Sequence, residues 1–137
     1  MCQNCLVKTI HHAQHHFGWD NSLSPVLHVA SGSQLEFHCL DAANGWFNAG
    51  STAADIPTLP FDKLNPVSGP VYVEGAQPGD ALKVTLESFR PSGFGWTANI
   101  PGFGLLADQF SDPALTLWQY DRQGLTPDRK STRLNSS

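Results

Sequence analysis

Charge is what this chain has least of: Asp, Glu, Lys and Arg together make up 15% of its 137 residues. Long helices are missing too. No run of twelve residues keeps an apolar stripe at 3.6-residue spacing without a Gly or Pro breaking it, which excludes a helical bundle. No stretch is long and apolar enough to cross a membrane, and no apolar run follows Met1, so a membrane partner is not expected and the expected compartment is the cytoplasm. Three cysteines do not make an even disulfide set. Cys2 and Cys5 have the spacing of a zinc knuckle but no second ligand pair behind them, and read as a reduced terminus.

The charge that is present is lopsided. Residues 1–121 hold eleven acidic and four basic residues, while the other four basic residues fall after position 121. A body this acidic repels phosphate backbones, which argues against nucleic acid as a partner and suits neutral or cationic ligands or a metal ion.

Gly (12) and Pro (10) are plentiful, and between them the apolar residues alternate. Strands are expected at Leu6–Ile10, Val26–Ala30, Gln34–Leu40, Val71–Val73, Leu82–Leu86 and Ala114–Tyr120. Ser31-Gly32 and Pro78-Gly79-Asp80 read as turns of two hairpins that echo each other in "SGSQLEF" and "PGDALKV". The expectation is an all-β fold, sandwich or barrel-like, with long loops at 42–68 and 91–112. The ending "DRKSTRLNSS" has no apolar pattern and resembles translated sequencing-adapter read-through. The expected organisation is therefore residues 1–121 as the N-terminal part of a larger β-rich domain, with 122–137 a disordered or artefactual tail.

Candidates for chemistry are histidines and carboxylates. There is no G-x-S-x-G elbow and no phosphate-cradling glycine loop. Cys39, within an expected strand, reads as a buried thiol. His28 and His38, also within strands, read as packed or hydrogen-bonded. "HHAQHHFGWDNS" places His11, His12, His15 and His16 where a strand runs into a loop. Alternation lets only some of them face a common pocket, and each taken alone reads as a solvated side chain. Asp41 ends the strand Gln34–Leu40, so its carboxylate is expected at the sheet's rim, where an ion needs oxygen ligands and access. Asp20 reads either as an acceptor orienting a histidine or as a turn residue.

Three segments then act together: "HHFGWDNSLSPVLHVASGSQLEFHCLDA", "NPVSGPVYVEGAQPGDALKVTLESF" and "IPGFGLLADQF". In this order they resemble the acetamidase/formamidase family over roughly residues 8–121. One departure is Trp46 after Gly45, where the family often has Gly-Gln. The resemblance implies a hydrolase acting on carbon–nitrogen bonds of small linear amides such as formamide or acetamide. It also implies a divalent cation, Zn²⁺ first, and a homo-oligomer at full length. Carried onto this sequence, His16 of the "HFGW" motif becomes a metal ligand, and Asp41 of "LDA" becomes a ligand or the catalytic base. The family's later Gly-Asp-rich motif bearing His and Glu has no match here. Two other readings stay open. A non-catalytic β-sandwich binding module would bind without turnover. A cupin-like metal protein would need a second histidine beside His38.

Overall fold

The computed structural model describes residues 6–122; Cys2, Cys5 and the tail from residue 123 onward lie outside the described residues. The chain divides into two compact units: one runs up to Asn48 and takes in Thr58–Lys83, the other combines Ala49–Pro57 with the residues from Val84 on. The architecture is all-β. Among the described residues, eight short strands form four open two-stranded sheets, and the helical content is two 3₁₀ turns, Ala53–Thr58 and Phe61–Lys63.

The first unit holds three sheets. β1 (Lys8–Ile10) runs parallel to β4 (Leu35–Phe37), and β3 (Leu27–Val29) runs parallel to β6 (Val71–Val73). β2 (His15–His16) lies antiparallel to β5 (Val67–Ser68). Ile10, Val29, Ala43, Phe47 and Leu59 are this unit's buried apolar residues. Each strand is only two or three residues long, so flanking bonds extend the ladders. The amide of His38 reaches the carbonyl of Ile10 at 2.9 Å, and that of Glu74 reaches Val29 at 2.8 Å.

The alternation located β1, β3, β4 and β6, but the hairpins expected between them are absent. A two-residue turn at Ser31-Gly32 would set Val29 against Gln34 and Leu27 against Glu36, apolar against polar at both positions. The observed register sets Leu27 beside Val71, Val29 beside Val73 and Ile10 beside Phe37. The turn itself forms, with the Ser33 amide on the Ala30 carbonyl and Gly32 at φ +83°, but it passes the chain from one sheet to another. The second hairpin fails for a different reason. Two turns follow in succession, Val73–Ala76 with Gly75 at φ +82° and Gln77–Asp80 with Gly79 at φ +100°, so β6 ends before Pro78. Leu82–Leu86, expected as a strand, has no ladder partner among the described residues.

The expected loop 42–68 contains both 3₁₀ turns and β5. The expected loop 91–112 contains the whole of a six-residue strand, β7 (Phe94–Asn99). Antiparallel to β8 (Ala114–Gln119), it makes the sheet of the second unit. Gly95 and the lone Trp96 hide its alternation in the sequence. The Asn99 side chain donates to the carbonyls of Phe110 (3.1 Å) and Asp112 (2.6 Å), closing the connection between the two strands. Across the sheet, the Trp118 indole donates to the Thr97 hydroxyl at 3.1 Å.

"NPVSGP" proves to be a backbone device. Asn65 sits at φ +54°, Gly69 at φ +114°, and the Gly69–Pro70 bond is cis. The amide of Gly69 donates to Gln14 and the carbonyl of Pro70 accepts from Val26, tying the segment to strands on both sides. A Cβ on Gly69 would meet the Val71 amide nitrogen at 3.2 Å, in a conformation L-residues rarely adopt. Gly69→Ala is expected to lower stability by about 1–3 kcal/mol, read as a fall in the urea midpoint at unchanged m-value. Gly32→Ala, with open space around its Cβ, should cost less.

Candidate functional site

β5 and the residues just before it form a segment that both sequence-predicted residues are built against. His16 is in register with Val67. Two residues earlier, the amide of Asn65 donates to the carbonyl of Ala42 at 2.8 Å, holding the turn that Asp41 begins. The Ser68 hydroxyl, beside His15 in the ladder, points its hydrogen bond at the sulfur of Cys39 at 3.8 Å. The segment 65–68 thus takes β2 along its strand edge and receives the 39–42 backbone through Asn65 and Ser68. Its part was marked in the sequence only by an Asn-Pro pair, a turn signal.

The half-buried imidazole of His16 is held by its own backbone. Nδ1 lies 2.9 Å from the carbonyl of Gly18. A carbonyl only accepts, so the neutral ring carries its proton on Nδ1 and its lone pair on Nε2. Nε2 makes no hydrogen bond among the described residues. Gly18, at φ +88°, allows the tight reversal that aims this carbonyl back at residue 16. His15 repeats the arrangement, Nδ1 on the carbonyl of His12 at 2.7 Å, with its ring edge-on to Phe17. Adjacent on one strand, the two imidazoles belong to opposite sides of it.

Asp41 is exposed and caps its own turn. Oδ1 accepts from the amides of Ala43 (2.8 Å) and Gly45 (3.0 Å), while its carbonyl accepts from Asn44. Asn44 takes φ +55°, a conformation asparagine tolerates. Oδ2 has no protein partner among the described residues. Ala43 is buried beneath the turn, so the carboxylate is fixed by both packing and hydrogen bonding.

Of the two readings of Asp20, the turn is what forms. Its Oδ1 accepts from the amide (2.9 Å) and hydroxyl (2.7 Å) of Ser22, and Gly18 rather than Asp20 orients His16. Those two bonds from Ser22, side chain first, hold the Asp20 carboxyl below its usual value, against a lesser opposing effect of desolvation.

The remaining candidates fall elsewhere. Cys39 is exposed just past the end of β4, where a buried strand thiol was expected. His28 is exposed on β3, its ring tilted against Tyr72. His38, 44% exposed, has the Glu36 carboxylate at 3.5 Å from Nε2 and the His11 ring edge-on at 5.3 Å. A second histidine does therefore stand beside His38. Even so, no three His, Cys, Asp or Glu side chains among the described residues are grouped to hold a metal ion. His16 and Asp41 offer donor atoms of the right kind for a divalent cation, an imidazole lone pair and a carboxylate oxygen, but a full set needs donors beyond those described.

Comparison with known proteins gives one answer. The model of the Acetamidase/Formamidase family matches residues 6–129. The chain is similar to the formamidase of Methylophilus methylotrophus, 29% identical over 113 residues, which are 78% of this chain and 28% of that protein. It is similar to the acetamidase of Mycolicibacterium smegmatis, 27% identical over 124 residues, 81% of this chain and 30% of the other. It thus spans less than a third of these curated relatives. Among solved structures, that of a predicted acetamidase/formamidase from Thermoanaerobacter tengcongensis shares the fold. The TM-score is 0.77 at 23% identity, covering 90% of this chain and 40% of the other. With a family match over nearly its whole length, the chain belongs to the acetamidase/formamidase family.

Proposed function

We propose that the protein carrying this chain hydrolyses the carbon–nitrogen bond of short linear amides, of the formamide or acetamide class, and releases ammonia. Support comes from the family match together with a local arrangement suited to it. An imidazole and a carboxylate whose Nε2 and Oδ2 have no hydrogen-bond partner among the described residues are both held by turns built against the segment 65–68. Amides resist hydrolysis because resonance weakens the carbonyl as an electrophile and because the amine leaves badly until protonated. Any catalyst must therefore supply a strong nucleophile, polarise the carbonyl and deliver a proton to nitrogen.

In this reading His16 and Asp41 are two donors of a divalent cation site, Zn²⁺ first, completed by residues outside those described. Such an ion, when bound, would polarise the carbonyl and lower the pKa of bound water to roughly 7. The chain's own residues do the rest. Gly18 fixes the His16 tautomer, so that Nε2 presents a lone pair without a rearrangement. Asp41, with Oδ1 committed to two amides, keeps one oxygen to bind the ion or to carry a proton from water to the departing nitrogen. Full-length, the protein is a homo-oligomer in this proposal, with no nucleic-acid or membrane partner. No helix among the described residues is long and apolar enough to cross a membrane.

The test is ammonia release by the whole protein, purified with Zn²⁺, over a panel of short amides. Turnover of formamide or acetamide that chelation removes and zinc restores is the expected result. No ammonia above background across the panel sinks the proposal, and saturable amide binding without turnover would favour a binding module instead.

A further inference from the structure

The ends of β1 and β4 bring two histidines together. Ile10 and Phe37 are partners in the parallel register, and the bond from the His38 amide to the Ile10 carbonyl carries the pairing one step further, to His11 beside His38. Both side chains are exposed, and their rings stand edge-on with centroids 5.3 Å apart. Neither ring makes a hydrogen bond among the described residues. The backbone beneath them is fixed. His11 closes a turn with Gln14: its carbonyl accepts from the Gln14 amide at 2.8 Å, and its amide donates to the Gln14 side chain at 2.9 Å. Rotation about χ1 and χ2 is the freedom left to the imidazoles.

Their separation is what one ion asks of two imidazoles. With a Zn–N bond of about 2.0–2.1 Å and a ring radius of about 1.15 Å, tetrahedral directions from a shared ion place two ring centroids ~5.2 Å apart. The edge-on rings therefore have to turn, mainly about χ2, rather than approach, and no ring hydrogen bond resists the turn. Glu36, two residues before His38, sets its carboxylate 3.5 Å from His38 Nε2, a negative charge that favours a cation beside that ring. We propose that His11 and His38 form a two-imidazole surface site for a late first-row divalent cation, Zn²⁺ first, with water completing its shell. Imidazole suits these ions, and a site with two protein ligands agrees with the absence of any three-ligand group among the described residues. The ion clips β1 to β4, strands far apart in the chain. Because the unfolded chain does not hold the two rings together, binding stabilises the folded pair by mass action. The inference does not rest on the amide chemistry.

Zinc titration of the 137-residue chain tests it, with Cys2→Ser and Cys5→Ser introduced so that those thiols do not compete for the ion. Imidazole nitrogen resonances report which rings take it. Those of His11 and His38 should shift together, along one binding curve, and the urea midpoint should rise with zinc concentration. His11→Ala and His38→Ala should each weaken this site on the order of tenfold or more and abolish most of the rise in midpoint. His12→Ala, an exposed histidine next in the chain to His11, should behave as the parent. Because the resonances are read in a chain that keeps both histidines, the result does not hang on how the alanine variants fold. Rings that shift at different zinc concentrations, or that stay unshifted up to millimolar zinc, overturn the proposal. So does a rise in midpoint that survives either alanine substitution, which would place the stabilising ion elsewhere.

Discussion

His16→Ala is expected to lower kcat/KM for a short amide on the order of a thousandfold in the whole protein, about 4 kcal/mol of transition-state stabilisation. The size follows from what the ring does in the proposed site. Its Nδ1 proton is directed to the Gly18 carbonyl at 2.9 Å, leaving Nε2 with a lone pair and no partner among the described residues. Alanine removes the donor, and no neighbouring side chain replaces it: His15 belongs to the other side of a two-residue strand. The loss should appear in metal content as well as in rate, because a carboxylate alone holds zinc poorly. Gly18→Ala separates positioning from ligation. A Cβ there meets nothing within 4 Å, so the variant acts through backbone strain at φ +88° and shifts the carbonyl that orients His16. Its expected cost is the roughly 10–100-fold typical of a residue that orients a ligand. Circular dichroism should be unchanged in both. A His16→Ala protein with parental turnover and zinc stoichiometry would remove His16 from the site.

How far the sequence carried this structure depends on range. Local alternation was enough to find Leu27–Val29, Leu35–Phe37, Val71–Val73 and Ala114–Gln119, because side-chain period is set by the strand itself. Partner choice was not local. Turns at Ser31-Gly32 and Pro78-Gly79 look like hairpin closures, yet all three pairings in the first unit join strands far apart in the chain, two of them parallel and one antiparallel. The information lay in matching faces, Val29 with Val73 and Ile10 with Phe37, which becomes visible only once candidate pairs are written out. β2 and β5 are two residues each, too short for any periodicity, and so the segment that carries both site residues was hidden within an expected loop. The site was legible as residue types and only partly as geometry. Asp41 was expected at the rim as the end of a strand Gln34–Leu40; β4 stops at Phe37, and Asp41 instead opens an exposed turn whose hold on Oδ1 depends on Asn44 adopting a left-handed backbone. The Gly18 carbonyl beneath His16 has no side chain to announce it.

The largest stability effect should come from Ile10→Ala. Ile10 is 1% exposed, sits opposite Phe37 in the β1–β4 pair, and its carbonyl takes the amide of His38. Removing three buried carbons forfeits their transfer free energy and leaves a cavity, together about 2–5 kcal/mol. The first unit cannot absorb that easily, since only four other apolar side chains among its described residues are buried. Domains of this size have total stabilities of about 5–15 kcal/mol, so the variant should lose a large part of its folding free energy. Urea denaturation should show the midpoint falling steeply, with Ile10→Val at about 0.5–1.5 kcal/mol as the graded control and Val7→Ala, 48% exposed, nearly silent. The site should suffer with the core. β1 leads within five residues to His15, and that span is tied down by the Gln14 carbonyl on Gly69, so loosening β1 slackens the strand that presents His16. An Ile10→Ala chain as stable as the parent would mean that β1 is not part of the core on which the histidine strand rests.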